Sequence, residues 1–297
     1  MSDEFRSGFC CFVGRPNAGK STLTNALVGT KVAITSDKPQ TTRRAIRGIL
    51  SRPDGQLVIV DTPGLHKPRT ILGQRLNDIV QTTLAEVDAV GFCVPADEKI
   101  GPGDTFIARA LAQLTRPVIA IVTKTDTASK AQTAAQLMAV SRLGDFADII
   151  PVSAVSGQQV SLLADLLIAR MPAGPMLYPD DARTDEPIET SIAELIREAA
   201  LDGVRDELPH SIAVTVEEMH PREGNPEILE IYATIHLERD SQKGIVIGHQ
   251  GARLRGVGTM ARRGIEALLG QRVHLDLHVA VMAEWQRDPK KLDRLGF

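Results

Sequence analysis

Short, uninterrupted apolar runs alternate with longer stretches of helical spacing through the first part of the chain. The runs fall at Phe9–Val13, Leu57–Val60, Ala89–Val94, Val118–Val122 and Ile149–Val152. Helical spacing occupies Gly73–Glu86, Thr105–Leu114, Ala131–Leu143 and Ser161–Met171. Continuous apolar runs suit parallel strands covered on both faces, so this alternation predicts an α/β domain with a mainly parallel sheet. Ala45–Leu50 adds a strand ahead of Leu57, and with Pro53–Gly55 as the turn the two form an antiparallel hairpin.

The alternation stops at Pro172–Asp181, PAGPMLYPDD, where prolines and a glycine crowd a short span. That punctuation predicts a linker over residues 172–187, between a domain of residues 1–171 and another of residues 188–297. The second domain reads as a helix at Glu189–Leu201, strands at Ile212–Glu218 and Ile228–Leu237, a glycine-interrupted helical region at Arg253–Leu269 and a closing strand at Val273–Val281. Its order is α-β-β-α-β, with room for a further helix in the helical tract.

A chain of 297 residues, 43% hydrophobic and 24% charged, reads as globular rather than disordered. The net charge of -3 hides an uneven distribution: Lys243, Arg253, Arg255, Arg262, Arg263 and Arg272 face the single acid Glu266 in that stretch. Whole-chain charge therefore misleads about polyanion binding. Cys10, Cys11 and Cys93 lie in apolar runs and read as small buried hydrophobes of a reducing compartment, not as a disulfide framework. The N-terminal residues carry no apolar leader pattern, and no run reaches the roughly 18 apolar residues of a membrane span. The location expected is the cytoplasm, with peripheral contact at the inner membrane face left open.

Gly14–Ser21, GRPNAGKS, follows the first apolar run and opens into a helix-compatible segment. Strand, GxxxxGK[ST] loop and helix in that order wrap backbone N–H groups around a nucleotide's phosphates. Lys20 suits the β- and γ-phosphates and Ser21 suits Mg²⁺. Asp61–Gly64, DTPG, ends the Leu57 strand, where the acid reaches Mg²⁺ through water and the Gly64 N–H reports the γ-phosphate. Thr41 and Thr42 lie in a polar segment where one hydroxyl can close over metal and phosphate, and Thr42 is preferred. Thr123–Asp126, TKTD, follows the Val118 strand. Asp126 can accept from guanine N1–H and its exocyclic amine, whereas adenine would leave the carboxylate mismatched. Lys124 can lay its stem on the base, and Ser153–Gly157, SAVSG, can offer the Ala154 N–H to guanine O6. Together these phrases select GTP over ATP.

GRPNAGKST, PQTTR at Pro39–Arg43, DTPGLHKP at Asp61–Pro68, TKTD and SAVSG resemble the Era family of ribosome-assembly GTPases. The resemblance implies a P-loop GTPase domain over residues 1–171, with GTP/GDP, Mg²⁺ and, as in some relatives, K⁺. Gly14, Asn17, Ala18, Gly19, Lys20, Ser21 and Thr22 would line the phosphates. Asp61 and Gly64 would report the γ-phosphate, and Thr123, Lys124, Asp126, Ser153 and Ala154 would hold the base. The metal set is Ser21, Thr42 and Asp61, with Asn17 matching the asparagine that holds K⁺; the catalytic set is Lys20, Thr42 and Gly64. The family usually has NKxD where this chain has TKTD, so Thr123 gives up an amide that ties loops near the base. Leu65 stands where many small GTPases place a water-orienting glutamine, and His66 reads as a solvent-facing switch residue rather than a base. Slow hydrolysis stimulated by K⁺ is the expectation.

Ile247–Gly251, IGHQG, holds a GxxG turn that brings backbone close to a single-stranded sugar-phosphate chain. GIVIGHQGARLRGVGTMAR at Gly244–Arg262 and VHLDLHVAV at Val273–Val281 resemble the type II KH domain that Era proteins carry. The α+β second domain is thus expected to bind RNA through Ile247, Gly248, His249, Gln250, Gly251, Arg253 and Arg255, with Ile247 beneath the bases. Aromatic residues at 3% argue against an OB or RRM stacking surface, and Trp285 is read as core. The family implies a monomer that binds 16S rRNA near its 3′ end on the 30S subunit or its precursor, where GTP would alter domain packing and expose the RNA surface. The rival readings are a peripheral membrane or protein-signalling switch and a tRNA-modification GTPase.

Overall fold

The computed structural model describes residues 4–36, 38, 41–64, 68, 70–204 and 208–297, so Pro39, Gln40, Leu65 and His66 lie outside the described residues. The described residues form two compact units whose main division falls between Asp185 and Glu186.

In the first unit the apolar runs become β1 (Arg6–Val13), β3 (Gly55–Asp61), β4 (Ala89–Pro95), β5 (Val118–Thr123) and β6 (Asp148–Pro151). They are joined at one edge by β2 (Ile46–Arg52). The order is β2-β3-β1-β4-β5-β6, with β2 antiparallel to β3 and the other pairings parallel. Helices α1 (Lys20–Val28), α2 (Ile71–Glu86), α3 (Pro102–Leu111), α4 (Lys130–Val140) and α5 (Val160–Ile168) follow the strands in turn. Ser129 starts α4 with a reciprocal Gln132 capping box, and Gly29 stops α1 at φ 79.

Alternation along the strands divides the buried side chains between two cores. Cys10, Phe12, Leu57 and Ile59 meet Leu23 of α1 and Leu167 of α5. Cys11, Val13, Val60 and Phe92 meet Val80 of α2 and Ile107 of α3. The neighbouring cysteines thus serve opposite faces, and all three thiols are free and buried. Burial at that level is worth roughly 25 cal/mol per Å² of apolar surface removed from water, which is what holds a sheet with no solvent-facing side. Each of β1, β3, β5 and β6 leads at its C-terminal end into one of the sequence phrases, which gathers them on one edge of the sheet.

The proline-rich stretch does not hang free. Gln56, fully buried in β3, accepts from the Leu177 and Tyr178 N–H groups and donates to the Tyr178 carbonyl. Ser7 donates to the Pro175 carbonyl, and the Ile49 N–H donates to the Arg183 carbonyl. Residues 172–185 therefore belong to the first unit, which is longer than the sequence reading made it.

The second unit runs α6 (Ile188–Leu201), β7 (Ala213–Arg222), β8 (Asn225–Leu237), α7 (Lys243–Ile247), α8 (Ala252–Leu269), β9 (Arg272–Val281) and α9 (Pro289–Arg294). β7 and β8 are antiparallel, and β9 lies parallel to β8. Ile192 and Ile196 of α6, Ile231 and Ile235 of β8 and Val257 and Ile265 of α8 form its core. This is the α-β-β-α-α-β order of a KH domain. The additional helix is α7, ahead of the long helical tract rather than within it, and the hairpin strands are longer than their apolar segments. Trp285 is fully buried, donates from Nε1 to the Ser211 carbonyl at 3.2 Å and stacks on Phe297.

Candidate functional site: a nucleotide cleft and an RNA-facing turn

The loop after β1 is shaped by what its glycines must avoid. A Cβ on Gly14 would stand 2.6 Å from the Cys93 carbonyl oxygen in β4, a contact that only glycine escapes, whereas Gly19 is needed for its left-handed φ of 85. Lys20 begins α1 almost wholly buried, and its Nζ donates to the Gly14 carbonyl at 3.3 Å and the Arg15 carbonyl at 3.1 Å. Burial draws the Lys20 pKa down, and Asp61 opposes that shift. An ammonium so placed lacks a full counter-charge of its own, which suits it to anionic phosphate oxygens. Ala18 is buried, Thr22 is half-buried and Asn17 sits exposed in left-handed backbone at φ 62.

Three oxygen-bearing side chains converge beside Lys20. Ser21 Oγ donates to Asp61 Oδ2 at 2.7 Å, Thr42 Oγ1 donates to the same oxygen at 3.1 Å, and the two hydroxyls are 3.0 Å apart. Asp61 is fully buried, and its Oδ1 has no hydrogen-bond partner among the described residues. Burial pushes its pKa up, against the Ser21 hydrogen bond, the charge of Lys20 and the Thr42 hydrogen bond. A buried carboxylate with one unsatisfied oxygen and two hydroxyls fits a hard divalent cation. Of the threonine pair, Thr42 lies in this corner while Thr41 Oγ1 donates to the Lys38 carbonyl. Gly64 approaches the phosphate loop so closely that a Cβ there would meet Pro16 N at 3.0 Å.

At the other end of the cleft, Ser153 Oγ donates to Asp126 Oδ1 at 2.6 Å and so aims the carboxylate. Ala154 follows it, half-buried. Lys124 is held in left-handed backbone at φ 56, with its carbonyl accepting from the Thr127 N–H and hydroxyl. Thr123 corrects the expectation drawn from its missing amide. Its hydroxyl donates to the Ala18 carbonyl at 2.8 Å in a buried position, so the base loop and the phosphate loop remain tied through a smaller side chain. Sequence reasoning missed Arg15, whose guanidinium donates from Nε to buried Asp104 at 2.8 Å and from Nη2 to Glu98 at 3.1 Å. The only signal for that pairing is the placement of the acids after β4 on the same sheet edge.

In the second unit α7 ends on Gly248, which leaves helical space at φ 72 and ψ 176, and Gly251 at φ 75 starts α8. The turn is closed by a hydrogen bond from the Gly251 N–H to the Gly248 carbonyl at 3.1 Å. His249 and Gln250 stand exposed between the glycines, while Ile247 is half-buried against the core beneath. Arg255 is exposed, and its Nη1 donates to the Gln250 carbonyl at 2.8 Å. Arg253 behaves differently from the expectation. Its Nη2 donates to the Asp202 carbonyl at 2.6 Å and the Ala200 carbonyl at 3.4 Å, so its fork ties the C-terminal end of α6 to the turn. Arg262 and Arg263 are exposed further along α8. Among the described residues no group of three His, Cys, Asp or Glu could hold a metal ion, and no helix is long and apolar enough to cross a membrane.

A P-loop cleft with a guanine-directed acid, followed by a KH fold with an open GxxG turn, defines the class: a GTPase with a C-terminal RNA-binding domain. Residues 9–124 match the family described as 50S ribosome-binding GTPase, and residues 207–286 match the KH domain family. The chain is 63% identical to the GTPase Era of Streptomyces coelicolor, covering 98% of this chain and 95% of that protein. It is 63% identical to the GTPase Era of Mycobacterium sp. (strain JLS), covering 99% of each. Among solved structures it resembles a point variant of Aquifex aeolicus Era bound to GDP.AlF4- at 35% identity and a TM-score of 0.94, with 98% of this chain and 99% of that one aligned. A structure of Era in complex with MgGDPNP and nucleotides 1506-1542 of 16S ribosomal RNA aligns at 36% identity, a TM-score of 0.94 and the same coverage. The chain belongs to the Era family of GTPases and is a GTP-hydrolysing enzyme.

Proposed function

We propose that this protein is a GTP-controlled RNA-binding factor that assists 30S ribosomal subunit assembly and 16S rRNA maturation in the cytoplasm, acting as a monomer. The observation that carries the reading is the exposed, glycine-built turn at Gly248–Gly251, followed directly by α8 and flanked by Arg255, in the same chain as a guanine-nucleotide cleft. An Era structure that contains nucleotides 1506-1542 of 16S rRNA supports the 3′ end of that RNA as the target.

In the cleft, Lys20 neutralises the β- and γ-phosphates, and Ser21, Thr42 and Asp61 supply the oxygens for Mg²⁺, directly or through water. Bound there, Mg²⁺ would supply positive charge that screens the phosphates. The Gly64 N–H is placed to sense the γ-phosphate, and Asn17 would be the residue that holds K⁺. Asp126, aimed by Ser153, reads guanine. Nucleotide state sets RNA affinity through the Thr42 and Asp61–Gly64 segments. At the turn, backbone N–H groups and Arg255 hold the phosphates of a single strand while Ile247 supports the bases.

The test is fluorescence anisotropy with single-stranded RNA from the 16S 3′ end, with the non-hydrolysable GTP analogue or with GDP bound. The expected result is salt-dependent binding that is tighter in the analogue-bound state and weakened by Gly251→Asp. Absence of RNA binding in a folded, nucleotide-loaded protein would return the reading to a protein-signalling or membrane-surface switch. Single-turnover hydrolysis that is equally fast in Na⁺ and K⁺ would remove Asn17 from the monovalent-cation role.

A further inference from the structure

We infer that Arg15 is a positioning residue for nucleotide retention, locked by Asp104 and Glu98 so that the segment after β4 clasps the phosphate loop. The inference rests on the guanine-nucleotide reading of the cleft. Asp104 is fully buried, and its two oxygens divide the work: Oδ1 accepts from Arg15 Nε at 2.8 Å, and Oδ2 accepts from the Gly101 N–H at 2.8 Å to start α3. The slot is cut for this side chain, because a Cβ on Gly103 would stand 2.9 Å from Arg15 Cδ. Glu98 takes the second arm of the fork at 3.1 Å and has its other oxygen 4.0 Å from Lys124 Nζ, so one carboxylate faces cations of both the phosphate loop and the base loop. Gln136, itself buried, fixes this segment by donating to the Pro95 and Glu98 carbonyls.

The backbone of Arg15 gives the anchorage its functional meaning. The Arg15 carbonyl accepts from Lys20 Nζ and from the Ala18 N–H, so a fixed Arg15 fixes the lysine that meets the phosphates. Release of the guanidinium lets the first half of the loop reorient, and a loop that must be re-ordered at each binding event holds its ligand less well. Where Thr123 ties the loops with one hydroxyl, this clasp supplies a second connection from the neighbouring segment after β4.

The measurement is stopped-flow dissociation of a fluorescent GDP derivative from the full chain, beside urea unfolding of the nucleotide-free protein. Arg15→Gln is expected to speed dissociation about tenfold, the scale of one lost charge-assisted hydrogen bond, and Arg15→Lys to recover part of that because an ammonium still pairs with Asp104. Glu98→Gln is expected to speed dissociation about twofold, since its carboxylate is 44% exposed and screened. Raised KM for GTP with a smaller change in kcat would accompany both. Dissociation within twofold of wild type in Arg15→Gln and Arg15→Lys, with only the unfolding midpoint lowered, would make the pair a purely structural one and overturn the inference. Should Arg15→Gln not fold, Arg15→Lys decides: dissociation faster than wild type by about threefold or more supports the inference, and dissociation within twofold overturns it. Failure of the wild-type chain to bind GDP would instead defeat the reading of the cleft.

Discussion

A side chain added at Gly14 would meet the backbone of a buried strand, whereas one added at Gly251 would meet only the tip of Arg255 at 3.3 Å. Both glycines belong to loops that lead into a helix, yet they are needed for different reasons. The first loop is wedged into the sheet, with its lysine bonded to its own carbonyls and its neighbours fixed by Asp104 and Thr123. The second is set mainly by backbone conformation, with Gly248, Gln250 and Gly251 all at positive φ, the Arg255 guanidinium on the Gln250 carbonyl and the intervening side chains in solvent. A pocket enclosing a small ligand can be built from the core outward. A surface receiving a polymer has to stay open at its ends.

That contrast can be broken most directly at Gly14. Gly14→Ala is expected to cost about 2 kcal/mol of stability through overpacking against the Cys93 carbonyl, and to abolish measurable nucleotide binding, by urea unfolding and GDP titration. Gly251→Asp should do the opposite: a strain of about 1 kcal/mol from an L-residue in left-handed backbone, with GTP hydrolysis intact. RNA affinity in anisotropy should fall by about thirtyfold because a carboxylate now faces phosphate. Gly248→Asp is the poorer probe, since its Cβ would press to 2.7 Å from Arg253 Cβ and disturb α8 itself.

Thr123→Val sharpens the comparison within the first loop. It leaves the buried Ala18 carbonyl without its hydroxyl donor, and GDP affinity by calorimetry is expected to drop about tenfold, as one unsatisfied group would cost.

The smallest expected effect isolates the second unit by pH. Burial is the main cause lowering the His236 pKa, Glu217 opposes it, Arg294 and His278 reinforce it, and Nε2 meets the Thr215 hydroxyl at 2.8 Å. A histidine kept neutral by the fold adds stability that is complete above its ordinary pKa of about 6.5 and is lost as pH falls through that value towards the lower folded one. His236→Gln should therefore flatten the acid side of the unfolding midpoint measured against pH. An unchanged slope would show that folding does not lower the ring's pKa.

The parallel strands were legible because burial on both faces leaves their centres apolar, with polar residues near the ends, and the cleft was legible because its phrases follow those strands in order. Other features depend on partners distant in sequence. Lys243–Ile247 is short and rich in β-branched residues, which gives little local helix signal, yet it folds as α7. Arg253 lies beside the turn in sequence, but the carbonyls that end α6 capture it. Neither the Arg15 lock nor the hydroxyl tie of Thr123 has a local pattern, because each is made across the sheet edge by residues roughly ninety or more positions away.

Gln56 carries a practical consequence for dissecting the molecule. A fragment cut after Met171 would deprive this fully buried amide of the Leu177 and Tyr178 backbone, and Ser7 of the Pro175 carbonyl. Buried polar groups stripped in that way invite water and aggregation at the strand margin. An autonomous catalytic fragment accordingly has to retain the chain through Asp185, prolines included.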